Sequence, residues 1–209
     1  TSEGQHHSYL VADFSDPAQV RIVIAAHTAQ HKVHILVNNT GGPPAGPITE
    51  AEPMTFVKYF EQHIVCNQIL VQHCLPSMKA DGFGRIINVI STSVRIPIEN
   101  LGVSNTIRGA TASWAKTLSN EVAQFGITVN NILPGFTKTE RLNALIRNIA
   151  SRKGLSVEEV AIQMEADVPA RRFGEAEEIA AVAAFLATPA AAYVNGVSIP
   201  VDGGRTGSI

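Results

Sequence analysis

Residues 82–91 read GFGRIINVIS. Two glycines, Gly82 and Gly84, come just before a short, mostly apolar run. Glycine is typical of turns, and residues 85–90 have the length and composition of a β-strand. Long amphipathic patterns, which are typical of helices, lie on either side at about residues 53–79 and 104–124. A strand between two such helices predicts one unit of an α/β fold.

The same alternation of short strand-like runs and longer helical patterns continues along the chain. It predicts a parallel sheet with helices on both faces, which is a doubly wound three-layer α/β/α architecture in one domain over residues 1–209. Strands are predicted at residues 9–12, 33–38, 85–90, 128–133 and 197–201. Further helices are predicted at residues 16–30, 140–165 and 176–187, the second of them broken at Gly154.

Composition limits the partners of the chain. Its 209 residues are 45% hydrophobic and 16% charged, as in a soluble globular domain with a continuous core. The formal net charge of −2 gives no electrostatic reason to expect nucleic acid or an anionic membrane as a partner. No apolar run reaches the roughly 18 residues of a membrane span.

Cysteine and histidine spacing gives two further expectations. Cys66 and Cys74 fall in one predicted helix, about 12 Å apart, whereas a disulfide needs Cα atoms within about 7 Å. We therefore expect free thiols and a cytoplasmic location. His27 and His31 lie four residues apart, but no carboxylate or thiol completes a metal site with them, so no bound metal is expected.

One expected element is missing from the sequence. A doubly wound sheet binds a dinucleotide with a glycine-rich turn after its first strand, because only glycine lets backbone amides approach a pyrophosphate. No G-x-G-x-x-G or G-x-x-x-G-x-G pattern occurs near residue 1, and Asp13 already follows what looks like the third strand. The sequence therefore predicts that about one N-terminal β-α-β-α segment is absent.

Five segments together resemble the short-chain dehydrogenases/reductases, and among these the 3-oxoacyl-[acyl-carrier-protein] reductases. They are residues 11–14 (VADF), 36–41 (LVNNTG), 84–91 (GRIINVIS), 130–139 (NNILPGFTKT) and 201–204 (VDGG). Their order and approximate spacing match the family over essentially the whole chain. The resemblance implies a Rossmann-type fold and a nicotinamide cofactor, NADP or NAD, with NADP favoured by analogy.

The resemblance also implies where the cofactor binds. An aspartate at the third strand would accept a hydrogen bond from the adenine amino group, and the N-N-x-G turn would lie against the cofactor with its glycine backbone. A Pro-Gly pair and a threonine would shape the nicotinamide end. Carried over to this chain, the cofactor-binding residues are Asp13, Phe14, Asn39, Thr40, Gly41, Pro134, Gly135, Thr137 and Thr139.

The catalytic positions depart from the family pattern of Ser, then Tyr thirteen residues on, then Lys four residues later. Ser91 occupies the serine position, but Ser104 stands at the tyrosine position and Arg108 at the lysine position. The asparagine of the family, 21 residues before the glycine at residue 84, is His63. The resemblance thus places four residues of this chain at the catalytic positions. Only Ser91 has the residue type that the family uses.

These replacements change the chemistry that is available. A serine hydroxyl is a far weaker acid than a tyrosine phenol, and arginine stays charged and cannot shuttle protons. Arg108 can still stabilise a developing negative charge. His63 is the candidate replacement acid; it shares a predicted helix face with Tyr59 and Asn67, and a backbone-bonded structural histidine is the alternative. We predict that His63, Ser91, Ser104 and Arg108 converge on one pocket.

Two classes of function remain open at this point. The first is an NAD(P)-dependent oxidoreductase that reduces a 3-oxoacyl-like carbonyl, or an enoyl or dienoyl thioester, with residues 140–165 as a substrate lid. The second is a non-catalytic nucleotide-binding or structural relative. The resemblance also implies a homotetramer or homodimer formed through the two long helices. The first of these has more apolar positions than one buried face needs, namely Phe56, Phe60, Ile64, Val65, Ile69 and Leu70.

Overall fold

The computed structural model describes residues 4–207. Its sheet has four parallel strands in the order β1 to β4, which are Ile35–Asn38, Gly84–Val89, Ile127–Pro134 and Ser198–Val201. Each predicted strand after the first is therefore confirmed to within two residues at either end. Because the strands are parallel and their register is continuous, their carboxyl ends meet at one edge of the sheet.

Helices cover both faces of this sheet, as the three-layer prediction requires. Helices α1, α3 and α4 share one apolar core with the sheet, while α7 packs on the opposite face. Adjacent residues of β2 show the division, since Ile86 is buried in the first core and Ile87 in the second. The helices are α1 (Pro17–Thr28), α2 (Pro53–Phe60), α3 (Cys66–Asp81), α4 (Gly102–Val122), α5 (Glu140–Lys153), α6 (Val157–Ala166) and α7 (Ala176–Ala187).

Local sequence signals explain several of the helix ends. Asp16 caps α1 by accepting hydrogen bonds from the backbone N–H groups of Ala18 and Gln19. The predicted break at Gly154 is confirmed, because its φ of 65° ends α5 in a left-handed residue that suits glycine. Gly126 has a φ of 72°, and a Cβ there would lie 2.2 Å from the carbonyl oxygen of Gly82. Only glycine fits the turn before β3.

The predicted strand at residues 9–12 is wrong. This segment has no regular structure, and Tyr9, Leu10 and Val11 are 87%, 56% and 79% exposed. A strand is stabilised by hydrogen bonds to a neighbour, and within residues 4–207 no other strand pairs with this segment. The composition of this segment is strand-like, but within residues 4–207 it has no ladder partner.

The predicted helix at residues 53–79 contains a feature that the sequence did not reveal. Between α2 and α3 the residues Glu61–Val65 form a π-helical turn, so that the backbone N–H of Cys66 bonds to the carbonyl oxygen of Glu61. Such turns insert an extra residue into a helix and are frequent at functional sites. His63 lies in the middle of this turn.

Both cysteines are free and buried in the core. Burial raises the pKa of the Cys66 thiol and that of the Cys74 thiol to about 11. They are therefore protonated, unreactive packing groups near neutral pH. In the part of the chain from residue 4 to residue 207, no helix is long and apolar enough to cross a membrane.

Candidate active site

The loop that follows β1 is held by cationic and imidazole side chains from three helices. Four successive carbonyl groups, from Thr40 to Pro43, each accept a hydrogen bond from one of these side chains. The donors are Arg108 of α4, His63 of the π-turn and Arg141 of α5. These three helices thus meet at the carboxyl edge of the sheet, where open α/β sheets bind their ligands.

Arg108 is buried, with 8% of its surface exposed. Its Nη1 donates to the carbonyl oxygen of Val89 at 3.0 Å and its Nη2 donates to that of Thr40 at 3.2 Å, so it joins the ends of β2 and β1. Burial, and secondarily the charge of Arg141, lowers its pKa to about 10. It is therefore a cation near neutral pH, and no carboxylate pairs with it among the described residues.

His63 is 2% exposed, and its Nε2 donates to the carbonyl oxygen of Gly41 at 3.1 Å. Burial, followed by the positive charge of Arg108, lowers the pKa of His63 to about 4. The ring is therefore neutral at pH 7, and its N–H is already used by a backbone carbonyl. This geometry brings His63 beside Arg108 as predicted, but it argues against the proton-donor role considered from the sequence.

The two serines lie on the elements that surround Arg108. Ser91 follows β2 and caps the short helix Thr92–Val94, since its Oγ accepts from the backbone N–H of Ser93 at 3.1 Å. Ser104 is buried in the first turn of α4, one turn before Arg108, so the two residues share a helix face. Ser91 thus follows a strand whose end Arg108 binds, and Ser104 lies on the helix that carries Arg108.

Sequence reasoning missed a buried chain of amides that crosses the sheet beneath this site. Asn38 donates to Asn88 at 2.8 Å, Asn88 to Asn131 at 2.9 Å, and Asn131 to Ser198 at 3.0 Å. The four residues are register partners on β1 to β4. The available signal was an asparagine near the carboxyl end of three successive apolar strands, where a buried amide needs a partner.

The residues predicted to hold the adenosine side of a cofactor lie at the surface. The Asp13 carboxylate is exposed and accepts from the backbone N–H of Ser15 at 2.8 Å, which lowers its pKa. Asn39 and Gly41 are also exposed, and a Cβ added at Gly41 would meet no atom within 4 Å. These groups leave open space for a ligand. Phe14 is half-buried, and its carbonyl accepts from the Cys66 thiol.

The residues predicted at the nicotinamide end have structural partners of their own. A Cβ at Gly135 would lie 2.7 Å from the Cα of Asp202, so glycine is needed there for two loops to pack. Thr139 caps α5 by accepting from the N–H of Leu142 at 3.3 Å. Thr137 donates to the carbonyl of Gly135, and Pro134 is the last residue of β3. The structure places all four at or just after the carboxyl end of β3, on the same edge as Arg108.

Helices α5 and α6 form a small apolar unit of their own, which includes Leu142, Ile146 and Met164. Arg141 fixes this unit to the loop after β1, because its Nη1 and Nη2 donate to the carbonyls of Gly42 and Pro43 at 3.0 and 3.2 Å. No pattern in the sequence indicates this contact. Within residues 4–207, no three His, Cys, Asp or Glu side chains gather as they would around a metal ion.

The chain is similar to reductases over nearly its whole length. A family model described as enoyl-(acyl carrier protein) reductase matches residues 1–206. The NADPH-dependent reductase BacG of Bacillus subtilis (strain 168) is 33% identical over 180 residues, which are 85% of this chain and 69% of the relative. The uncharacterized oxidoreductase YxjF of the same organism is 30% identical over 206 residues, 98% of this chain and 80% of the relative.

Solved structures of reductases are also similar to this chain. YwfH, described as an NADPH-dependent reductase involved in bacilysin biosynthesis, superposes with a TM-score of 0.90 at 30% identity, over 96% of this chain and 78% of that one. L-sorbose reductase from Gluconobacter frateurii, solved with NADPH and L-sorbose, superposes with a TM-score of 0.87 at 28% identity. That match covers 95% of this chain and 76% of the other.

Proposed function

Since the chain belongs to the short-chain dehydrogenase/reductase family, we propose that it is an NADP(H)-dependent reductase whose substrate is a carbonyl compound with a conjugated carbon–carbon double bond. The oxidoreductase class and the use of NADP(H) follow from the family and from the NADPH-dependent relatives. The position of reduction within the substrate depends on the side chains of this site.

The residues at this edge of the sheet fit such a cofactor in part. The exposed Asp13 carboxylate can accept from an adenine amino group, and the open space at Gly41 admits a ligand against the backbone. NADPH, when bound, supplies a hydride. Thr40, Asn39 and the loop after β3, with Pro134, Gly135, Thr137 and Thr139, would hold and orient it at the carboxyl edge of the sheet.

One observation supports reduction at the double bond, namely that the catalytic positions hold a fixed cation and no acid that titrates near neutrality. Arg108 stays charged, Ser104 is a poor acid, and His63 is neutral with its N–H bonded to Gly41. Reducing an isolated ketone creates an alkoxide, a strong base that needs a proton donor at once. Such a donor is what this arrangement lacks.

Reduction of a conjugated double bond makes a different demand. Hydride addition at the β-carbon leaves the negative charge delocalised as an enolate, which is a much weaker base than an alkoxide. A positioned cation stabilises that oxygen without transferring a proton, as oxyanion-hole donors do. Water can then protonate the α-carbon. Arg108 would supply the charge, with the Ser91 and Ser104 hydroxyls as further donors, so an enoyl or enone substrate suits the site better.

Reduction of a 3-oxoacyl-like carbonyl is the second candidate function. The retained serine favours it, because Ser91 occupies the serine position of the family directly after β2 and its hydroxyl could donate to a substrate carbonyl. In that case the proton must come from a water molecule. A nucleotide-binding protein without catalytic activity is the third possibility, and it would bind NADPH without reducing any substrate.

Matched substrate pairs test the proposal. NADPH consumption is measured with crotonyl and acetoacetyl thioesters and with cyclohexenone and cyclohexanone, beside NADPH binding by fluorescence. We expect the unsaturated member of each pair to react about 10²-fold faster, since that is the order of the general-acid contribution that ketone reduction would lose. Faster reduction of the saturated ketones would support the second candidate. NADPH binding without turnover on any pair would support the non-catalytic one.

We also propose assembly as a homotetramer or homodimer with two-fold symmetry. The long helix presents apolar groups to solvent, with Met54, Val57 and Phe60 exposed by 70%, 46% and 45%. Burying such a patch against a second copy would remove it from water. Sedimentation velocity at micromolar concentration should give a dimer or tetramer mass, and Phe60→Glu should shift it toward the monomer. A wild-type monomer would refute the assembly.

A further inference from the structure

Two arginines face each other across Gly42 without an acidic partner. A Cβ at Gly42 would lie 2.9 and 3.0 Å from the Arg141 guanidinium nitrogens and 3.1 Å from Nη2 of Arg108. The two cations are thus within about 6 Å of each other, where like charges repel appreciably. Other arginines of the chain, such as Arg147 and Arg172, pair with glutamates. Among the described residues, neither Arg108 nor Arg141 does so.

Both guanidinium groups keep unused hydrogen-bonding capacity. A guanidinium carries five N–H donors, and two from each group go to backbone carbonyls. A carbonyl satisfies a donor but does not neutralise a charge. His63, the third basic side chain on this loop, is held neutral by burial and by these charges. The cluster therefore retains net positive charge and free donors on one side of the loop.

We infer that Arg108 and Arg141 form a subsite for a carboxylate carried by the substrate. A carboxylate matches the planar fork of a guanidinium and would offset the repulsion between the two cations. Arg141 is exposed on α5, and Arg108 is buried near the N-terminal end of α4. Together they extend positive charge from the surface into the interior. Because Gly42 has no side chain, the space between the two guanidinium groups stays open. The inference rests on the proposed function only in calling the ligand a substrate.

Contacts made by α5 give the subsite a second consequence. Because Arg141 belongs to the helix pair α5–α6 and bonds to the loop after β1, an anion bound between the arginines would join that unit to the sheet edge. The substrate anion would thus position the unit predicted as a lid. A neutral substrate analogue would lack this contact.

Binding without turnover tests the subsite independently of catalysis. Calorimetric titrations at constant ionic strength compare cinnamate with its neutral methyl ester and with inorganic phosphate. We expect cinnamate to bind about 10-fold to 10²-fold more tightly than the ester, the range for hydrogen bonds to a charged group. Arg141→Gln should remove that difference. Arg147→Gln, on the same helix and paired with Glu140, should keep it.

A glycine pair provides a test that leaves every charge in place. Gly42→Ala puts a methyl group about 3 Å from the guanidinium nitrogens and should weaken cinnamate binding, whereas Gly46→Ala, later in the same loop, meets no atom within 4 Å and should not. Equal binding of cinnamate and its ester, or an unchanged difference in Arg141→Gln, would overturn the inference. Tighter, Arg141-dependent binding of phosphate would overturn the choice of a carboxylate. Carboxylate binding by a protein that reduces none of the four substrates would refute the proposed function alone.

Discussion

Replacing Arg108 by alanine is expected to lower kcat for reduction of the unsaturated substrate by about 10²–10³-fold, the usual loss when one oxyanion donor is removed. The Kd for NADPH should change much less, because the charge is needed most when the enolate forms. Single-turnover kinetics together with a fluorescence titration of NADPH would separate the two quantities. A larger loss in cofactor binding than in kcat would contradict the catalytic role.

The buried position of Arg108 requires a control for folding. Its removal leaves the carbonyls of Val89 and Thr40 without their donors, at a cost of about 1–3 kcal/mol for each buried group left unsatisfied. Arg108→Lys keeps the charge and restores the residue type that the family has at this position. We expect this variant to recover more activity than Arg108→Gln at comparable thermal stability. If Arg108→Gln equals Arg108→Lys in kcat, the charge is not what the reaction uses.

Acidification is expected to destabilise the protein through His63. Its pKa is about 4 in the folded state, below the ordinary 6.5, so the unfolded chain binds more protons between these two values. The free energy of unfolding therefore falls as pH decreases from about 6.5 to 4. Above pH 6.5 the stability that depends on a neutral His63 is fully present. One pKa unit corresponds to 1.36 kcal/mol, so the total contribution of His63 is about 3 kcal/mol.

Urea denaturation at pH 7 and pH 4.5 measures this effect. His63→Gln cannot take up the proton, so its free energy of unfolding should change less between the two pH values than that of the wild type. His73→Gln is the matched control, since it replaces another histidine of the same long helix, in α3. An identical pH dependence in the wild type and in His63→Gln would show that His63 is not the group that titrates.

Much of the fold could be predicted from the sequence because its determinants are local. Apolar runs of strand length and amphipathic helical patterns placed four strands and the main helices, and Gly154 divided α5 from α6 as predicted. The family was also evident, since five short motifs occur in one order and the matching model covers residues 1–206. The substituted catalytic positions could be located by counting residues from Gly84.

Tertiary structure decided what those residues can do. Residues 9–12 have a strand-like composition, but among residues 4–207 no strand lies beside them to form a ladder. Hydrogen bonds among Asn38, Asn88 and Asn131 exist only because the strands come into register. The state of His63 depends on burial in a π-turn and on the charge of Arg108, neither of which a residue type can indicate.

Arg141 shows the same division most clearly. By composition it is one more exposed arginine at the start of an amphipathic helix, and the sequence assigned it no role. In the fold it lies beside Gly42 and opposite Arg108, almost a hundred positions away in the chain from the loop it binds. The sequence alone determined the family and the residue types at the catalytic positions, because both are read from local order and spacing. Charge and burial at the site act through space, so only the folded chain determined them.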